Sequence, residues 1–157
     1  MADTKIRLRE ATAQLRDDHR LIKKLFAAYD EIDEDDAIRA ADLFDALRRE
    51  IEIHARLERE VFYPAVRASE NEDGARFVFE AFDAHLVAEG LLGELEALMP
   101  GEREFNAKLK ELEDHILRHA DEEEEAIFPI FLSLPPEDQE DVAERLAIRR
   151  REISGEE

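Results

Sequence analysis

Apolar residues recur along this chain at steps of three, four and seven, the pattern of helices that each bury one stripe. A first helix is predicted from about Thr4 to Asp30. Its seam reads Leu8, Ala11, Leu15, Ile22, Phe26 and Tyr29, and His19 falls in it between Leu15 and Ile22. The acidic run from Asp30 to Asp36 contains a turn, and its Asp residues can cap the next helix. A second helix is predicted from about Ala37 to Ser69, with the seam Phe44, Leu47, Ile51, His54, Glu58, Val61 and Ala65. Pro64 should kink it or mark its last turns. After a turn at Asn71–Gly74, where Asp73 is a candidate N-cap, a third helix runs from about Ala75 to Leu98. Its seam is Val78, Phe82, His85, Glu89, Leu92 and Leu95, and Met99-Pro100-Gly101 ends it. A fourth, from about Glu102 to Leu132, carries Phe105, Leu109, Leu112, Ile116, His119, Glu123, Ile127 and Ile130, with Pro129 disturbing its end. A shorter helix, about 136–152, turns Val142, Leu146 and Ile153 inward. It closes on Arg149-Arg150-Arg151, where cations suit a helix C-terminus.

Four long helices with short links predict an all-α fold, an up-down-up-down four-helix bundle with an additional short C-terminal helix. The 157 residues suit a single domain, with the bundle core at about 4–132 and the last helix at about 136–152. Composition agrees, being rich in Ala, Leu, Glu and Arg with only five Gly and five Pro. The absence of Cys excludes disulfides, thiolate metal sites and iron–sulfur clusters. The N-terminal stretch is charged throughout, and no apolar run is long enough to span a membrane, so a cytoplasmic protein without a membrane partner is expected. A formal charge of −20 makes nucleic acid an unsuitable partner, because phosphates need a basic surface. The charge says little about metal, since most of the acid belongs on solvated helix faces.

Two segments repeat one pattern. His54 is followed by Glu58 and, after Phe62-Tyr63, by Pro64; His119 is followed by Glu123 and, after Ile127-Phe128, by Pro129. A step of four is about one helical turn, so each His and its Glu share a face. The repeat lies on the second and fourth helices, which suggests a duplicated helix pair. Every long helix thus brings a seam His, namely His19, His54, His85 and His119, and three bring a Glu one turn later, namely Glu58, Glu89 and Glu123. A lone core His is more often a hydrogen-bonded structural residue, and a His–Glu pair at this spacing is often a surface ion pair. The conjunction on four helices favours metal: buried carboxylates are tolerable if cations sit among them, and carboxylates can bridge two ions that imidazoles cap. His115 lies on the flank, because Ile116 takes the seam there. Glu60, Glu122, Glu124 and Glu125 leave the seam and are expected to be solvated. Tyr29 and Tyr63 could lie near the pocket, but such Tyr residues are more often packing with a polar tip. The Glu-x-x-His of ferritin-like di-iron bundles and the His-Glu-x-x-His of zincins are both absent.

Asp18-His19, His54-x-x-x-Glu58 with Phe62-Tyr63-Pro64, His85, and His119-x-x-x-Glu123 with Phe128-Pro129 resemble the hemerythrin-like family, the HHE cation-binding domain, over roughly residues 15–131. The resemblance implies two non-haem iron ions, bridged by oxygen and by the carboxylates of Glu58 and Glu123. His19 and His54 would serve one iron, and His85 and His119 the other. The oxygen carriers of the family have His-x-x-x-His on the third helix and a five-residue step to Asp on the fourth. Here the third helix has His85-x-x-x-Glu89, and a ligating Glu89 would favour the ferric state and weaken reversible oxygen binding. The expected function is di-iron binding with oxygen, peroxide or nitric oxide as ligand, with turnover left open. The alternatives are a non-catalytic iron-binding, sensing or storage module that acts through a protein partner, and a purely structural bundle.

Overall fold

The computed structural model describes residues 9–155, so the part of the first helix predicted before residue 9, Leu8 included, lies outside the described residues. All regular structure among them is helical. Helix α1 spans Ala11–Asp30 and α2 spans Ala37–Leu57. A π-turn, Glu58–Phe62, leads from α2 into α3, Tyr63–Arg67. Helix α4 spans Glu72–Glu96 and α5 spans Arg103–Glu122. A second π-turn, Glu123–Ile127, leads into α6, Phe128–Leu132, and α7 spans Pro136–Ser154.

Local sequence explains the boundaries. Asp36 caps α2, accepting the Arg39 amide at 3.0 Å, as the acidic turn predicts. Asn71, not Asp73, caps α4: its side chain accepts the Asp73 amide at 2.8 Å, and Asp73 becomes a first-turn acid. The α4–α5 turn needs a left-handed residue, and Gly101 supplies it at φ 90°. Tyr29 seals this turn rather than the pocket. Its hydroxyl donates to Asn106 Oδ1 at 2.6 Å and accepts the Gly101 amide at 3.1 Å.

Both prolines do more than disturb helix ends. A proline has no N–H, and its ring crowds the carbonyl four residues back, here that of Glu60 or Glu125. Each rod widens by one residue just before its proline, so the Tyr63 amide bonds to the Glu58 carbonyl and the Phe128 amide to the Glu123 carbonyl. The extra residue advances the buried face. The predicted step from Val61 to Ala65 becomes Val61, Phe62, Tyr63 and Val66, and on the other rod Phe128 and Phe131 join Ile127 and Ile130.

Helices α1 and α2 pack as one antiparallel pair and α4 and α5 as another, while α7 lies across α1, α2 and the first π-turn. The apolar core has two parts. One, around the π-turns, holds Leu57, Phe62, Tyr63, Phe128 and Phe131, and α7 closes it with Val142, Ala143 and Leu146. The other, toward the α4–α5 turn, holds Ile22, Phe26, Phe44, Leu47, Leu92, Phe105 and Leu112. The polar cluster sits between the two.

Candidate metal centre

Four helical rods each contribute a histidine to this interval. His54 and His85 are buried, and His19 and His119 nearly so. Glu58 and Glu123, each at the first position of a π-turn, are fully buried carboxylates. Their side chains fall into two groups that share Glu58: His19, His54, Glu58 and Glu123 on one side, and Glu58, His85 and His119 on the other.

In the first group His19 Nε2 lies 3.1 Å from His54 Nε2 and 3.2 Å from Glu123 Oε1, and His54 Nε2 lies 3.2 Å from Glu58 Oε2. Ligands at about 2.0–2.2 Å from one ion stand about 3 Å apart when adjacent, so these four atoms have the spacing of one coordination sphere. Glu58 Oε2 and Glu123 Oε1 are moreover buried oxygens without a hydrogen-bond donor. Such orphaned acceptors are costly in a protein interior unless a cation takes them. The residues therefore fit a metal ion.

The second group surrounds the phenol of Tyr63. Its hydroxyl oxygen is 2.5 Å from Glu123 Oε2, 3.1 Å from Glu58 Oε1, 3.2 Å from His85 Nε2 and 3.3 Å from His119 Nε2. Five residues after Glu58, Tyr63 would point elsewhere on an uninterrupted α-helix; the π-turn brings it in. Phe128 holds the same place after Glu123 and stacks on His19, ring centres 6.1 Å apart.

The electrostatics of the metal-free cluster favour protons where cations could bind. Burial disfavours charge on His54, but Glu58 and Asp18 raise it well above its ordinary value. Burial likewise opposes ionisation of Glu58, and His54 nonetheless holds it well below the carboxylate range. Glu123 goes the other way, pushed up by burial and by the Glu58 charge beside it. Burial drives His119 down to about 4 and also lowers His19. Metal-free, the cluster thus favours the protonated forms of His54 and of the Glu58–Glu123 pair, so loading a cation should release protons.

Two carboxylates that sequence reasoning left out hold the first pair of imidazoles. Asp18, buried, accepts from His54 Nδ1 at 2.8 Å and is itself held by Arg150 of α7 at 2.8 Å. Glu124, expected to be solvated, is half-buried; it pairs with His19 Nδ1 at 2.8 Å and with Arg16 at 3.1 Å. The Asp18-His19 dipeptide was a visible signal for the first. None marked Glu124 among its neighbouring acids, because the π-turn decides which of them faces inward.

Glu89 requires a correction. It is not brought into either group; its side chain is 55% exposed and pairs with Arg59 at 3.3 Å. The buried seam of α4 runs Val78, Ala81, His85, Ala88, Leu92 and Leu95, in alternating steps of three and four, and Ala88 takes the place expected for Glu89. Glu89→Ala is accordingly expected to leave metal content unchanged, by elemental analysis against the native chain. His115 is on the flank as expected, half-buried, its Nε2 donating to the Ala84 carbonyl at 2.8 Å.

A cavity of about 380 Å³ reaches the cluster from between α2 and α4. Ile22, Ile51, Ala88, Leu92 and Ile116 wall it, and Arg59 and Glu89 line it too. It gives a small neutral molecule a largely apolar path to His85 and His119.

Comparison with known proteins agrees with this geometry. The chain is 26% identical to a hemerythrin HHE cation-binding domain-containing protein from Mycobacterium kansasii, whose crystal structure superposes with a TM-score of 0.81 over 94% of this chain and 88% of that one. It is also 27% identical over 114 residues to a DNA nickase of Nostoc sp., a match that covers 73% of this chain but only 31% of the nickase. None of the described helices is long and apolar enough to cross a membrane. The model of the hemerythrin HHE cation-binding domain matches residues 10–131, the span that carries the four clustered imidazoles and the carboxylates of Glu58 and Glu123, and the chain belongs to that family.

Proposed function

We propose that the chain is a non-haem di-iron protein in which His19, His54, Glu58 and Glu123 hold one ion and His85, His119 and Glu58 hold the other, with Glu123 Oε2 reaching toward the second. The observation that carries the reading is Glu58. It is fully buried, with Oε2 turned to the first group and Oε1 to the second, the disposition of a carboxylate between two cations. Nitrogen and carboxylate donors without thiolate suit iron, and the pair would supply one-electron redox chemistry and an open coordination position for oxygen, peroxide or nitric oxide. The cavity admits such a ligand to the His85–His119 side along a largely apolar lining.

The protein's own groups shape that position. Tyr63 keeps Glu58 and Glu123 oriented while no cation is present and can donate its proton toward a ligand arriving beside His85 and His119. Burial and the two carboxylates raise the phenol well above its ordinary value, so it remains a donor. In the metal-free protein, Tyr63→Phe should cost about 1–3 kcal/mol, because buried acceptors lose their partner. In the loaded protein the cost should shrink, because cations take those acceptors. Chemical denaturation of both forms checks this, and equal losses would remove the phenol from the centre.

The match to the Nostoc relative spans only 31% of that protein, and the nicking activity in its name is not carried over to this chain. Spectroscopic titration of the iron-loaded, reduced protein with nitric oxide tests the ligand proposal. Adduct formation at the iron supports it. Full iron occupancy with no adduct would favour the non-catalytic reading, in which the helices report iron to a partner.

A further inference from the structure

The two halves of the centre differ in what stands behind the imidazoles. Resting on the di-metal reading above, we infer that the two positions are unequal: the His19–His54 position fills first and holds its ion more tightly, and the His85–His119 position exchanges. An imidazole ligates through Nε2 only when its remaining proton sits on Nδ1, and a carboxylate accepting that proton fixes the tautomer, orients the ring and strengthens the donor. Both imidazoles of the first group have this arrangement. Asp18 takes His54 Nδ1 at 2.8 Å and Glu124 takes His19 Nδ1 at 2.8 Å. Each carboxylate is in turn held by an arginine, Asp18 by Arg150 and Glu124 by Arg16.

The second group has the opposite setting. The nearest partner of His85 Nδ1 is Arg59 Nη1, at 3.5 Å. A guanidinium only donates. It favours a bare Nδ1 and leaves the proton on Nε2, which points at Glu58 Oε1 at 3.0 Å. That is the tautomer a metal must undo. Among the described residues no carboxylate takes His119 Nδ1. The Tyr63 hydroxyl already stands between the donors of this group. Filling it therefore requires His85 to shift its proton, Arg59 to withdraw toward Glu89 and the phenol to yield.

Helix α7 enters the metal chemistry here. It lies beyond the residues matched to the family, yet its Arg150 anchors the carboxylate behind His54. Asp18, Glu124 and Arg150 are thus positioning residues for the first ion.

The test is an anaerobic titration of the full chain with cobalt(II), followed by absorption and equilibrium dialysis, beside histidine-ring 15N NMR of the metal-free protein. The expected result is two steps separated by at least about tenfold in affinity, with His19 and His54 ring signals broadened by the first equivalent. Asp18→Asn and Glu124→Gln should each weaken the first step by about 10–100-fold, and Arg150→Gln by less. Arg59→Gln should tighten the second step. The NMR spectrum requires no variant to fold: it should place a proton on Nδ1 of His19 and His54, with His54 also protonated on Nε2 until pH passes its raised value, and on Nε2 but not Nδ1 of His85. Two equivalents taken up in one step, or first broadening at His85 and His119, would overturn the inequality and leave the di-metal reading standing. Absence of any stoichiometric binding would overturn both.

Discussion

Glu58→Gln is expected to take the chain from about two bound ions to well under one, with helicity retained. Glu58 has one oxygen turned to each group, so losing its charge weakens both positions together. The side chain keeps its volume, and the surrounding Leu57, Val61 and Phe62 stay packed. Removing an imidazole from one side should do less. His119→Ala should retain about one ion, because His19, His54, Glu58 and Glu123 remain. Elemental analysis after anaerobic iron loading and desalting, with circular dichroism for the fold, distinguishes the two variants. Equal retention by both would show that Glu58 does not join the positions.

Metal should also stabilise the fold, and increasingly so toward alkaline pH. A ligand present at about a thousand times its dissociation constant adds about 4 kcal/mol, on the order of 10 °C in melting temperature for a chain of this size. The pH dependence follows from the metal-free cluster. His54 has a raised folded-state value, so its contribution is complete below 6.5 and is lost as pH rises through that raised value. Glu123 is also raised, and its proton likewise favours the metal-free fold until pH climbs past its folded value. The lowered groups act on the acid side. Asp18 and Glu58 contribute above 3.8 and 4.5 and lose this as pH falls through their folded values, and His119 loses its contribution between 6.5 and about 4. Metal-free protein should therefore weaken as pH goes from about 6 to about 8, while loaded protein, whose cations replace those protons, should not. Melting curves of both forms across that range measure the gap; a gap that is constant or narrows with pH would contradict the proton-for-metal exchange.

Much of the centre was legible in the chain because ligands on one helical face must repeat at about one turn. The paired His54–Glu58 and His119–Glu123 spacings, with His19 and His85 on their own seams, led to six of the side chains that converge. Glu89 was misplaced because a step of three and a step of four are both compatible with a helical period of 3.6. Only packing of the whole helix selects Ala88 over Glu89. Tyr63 was legible as a polar-tipped core residue but not as the middle of the second group. Its position depends on a π-turn, and the sequence showed only the proline that provokes it. Glu124 and Arg150 were hidden for a different reason, and Asp18, though visible beside His19, gave no sign of its partner His54. Their roles rest on pairings of 36, 105 and 132 residues' separation, which no local period encodes.

A pair of bound ions should show in the metal content and absorption spectrum of the full chain purified from iron-supplied cells. About two iron ions per chain are expected, with the near-ultraviolet absorption of a bridged diferric centre, bleached on reduction. A plateau at one ion per chain, or zinc held in preference to iron, would contradict the di-iron reading.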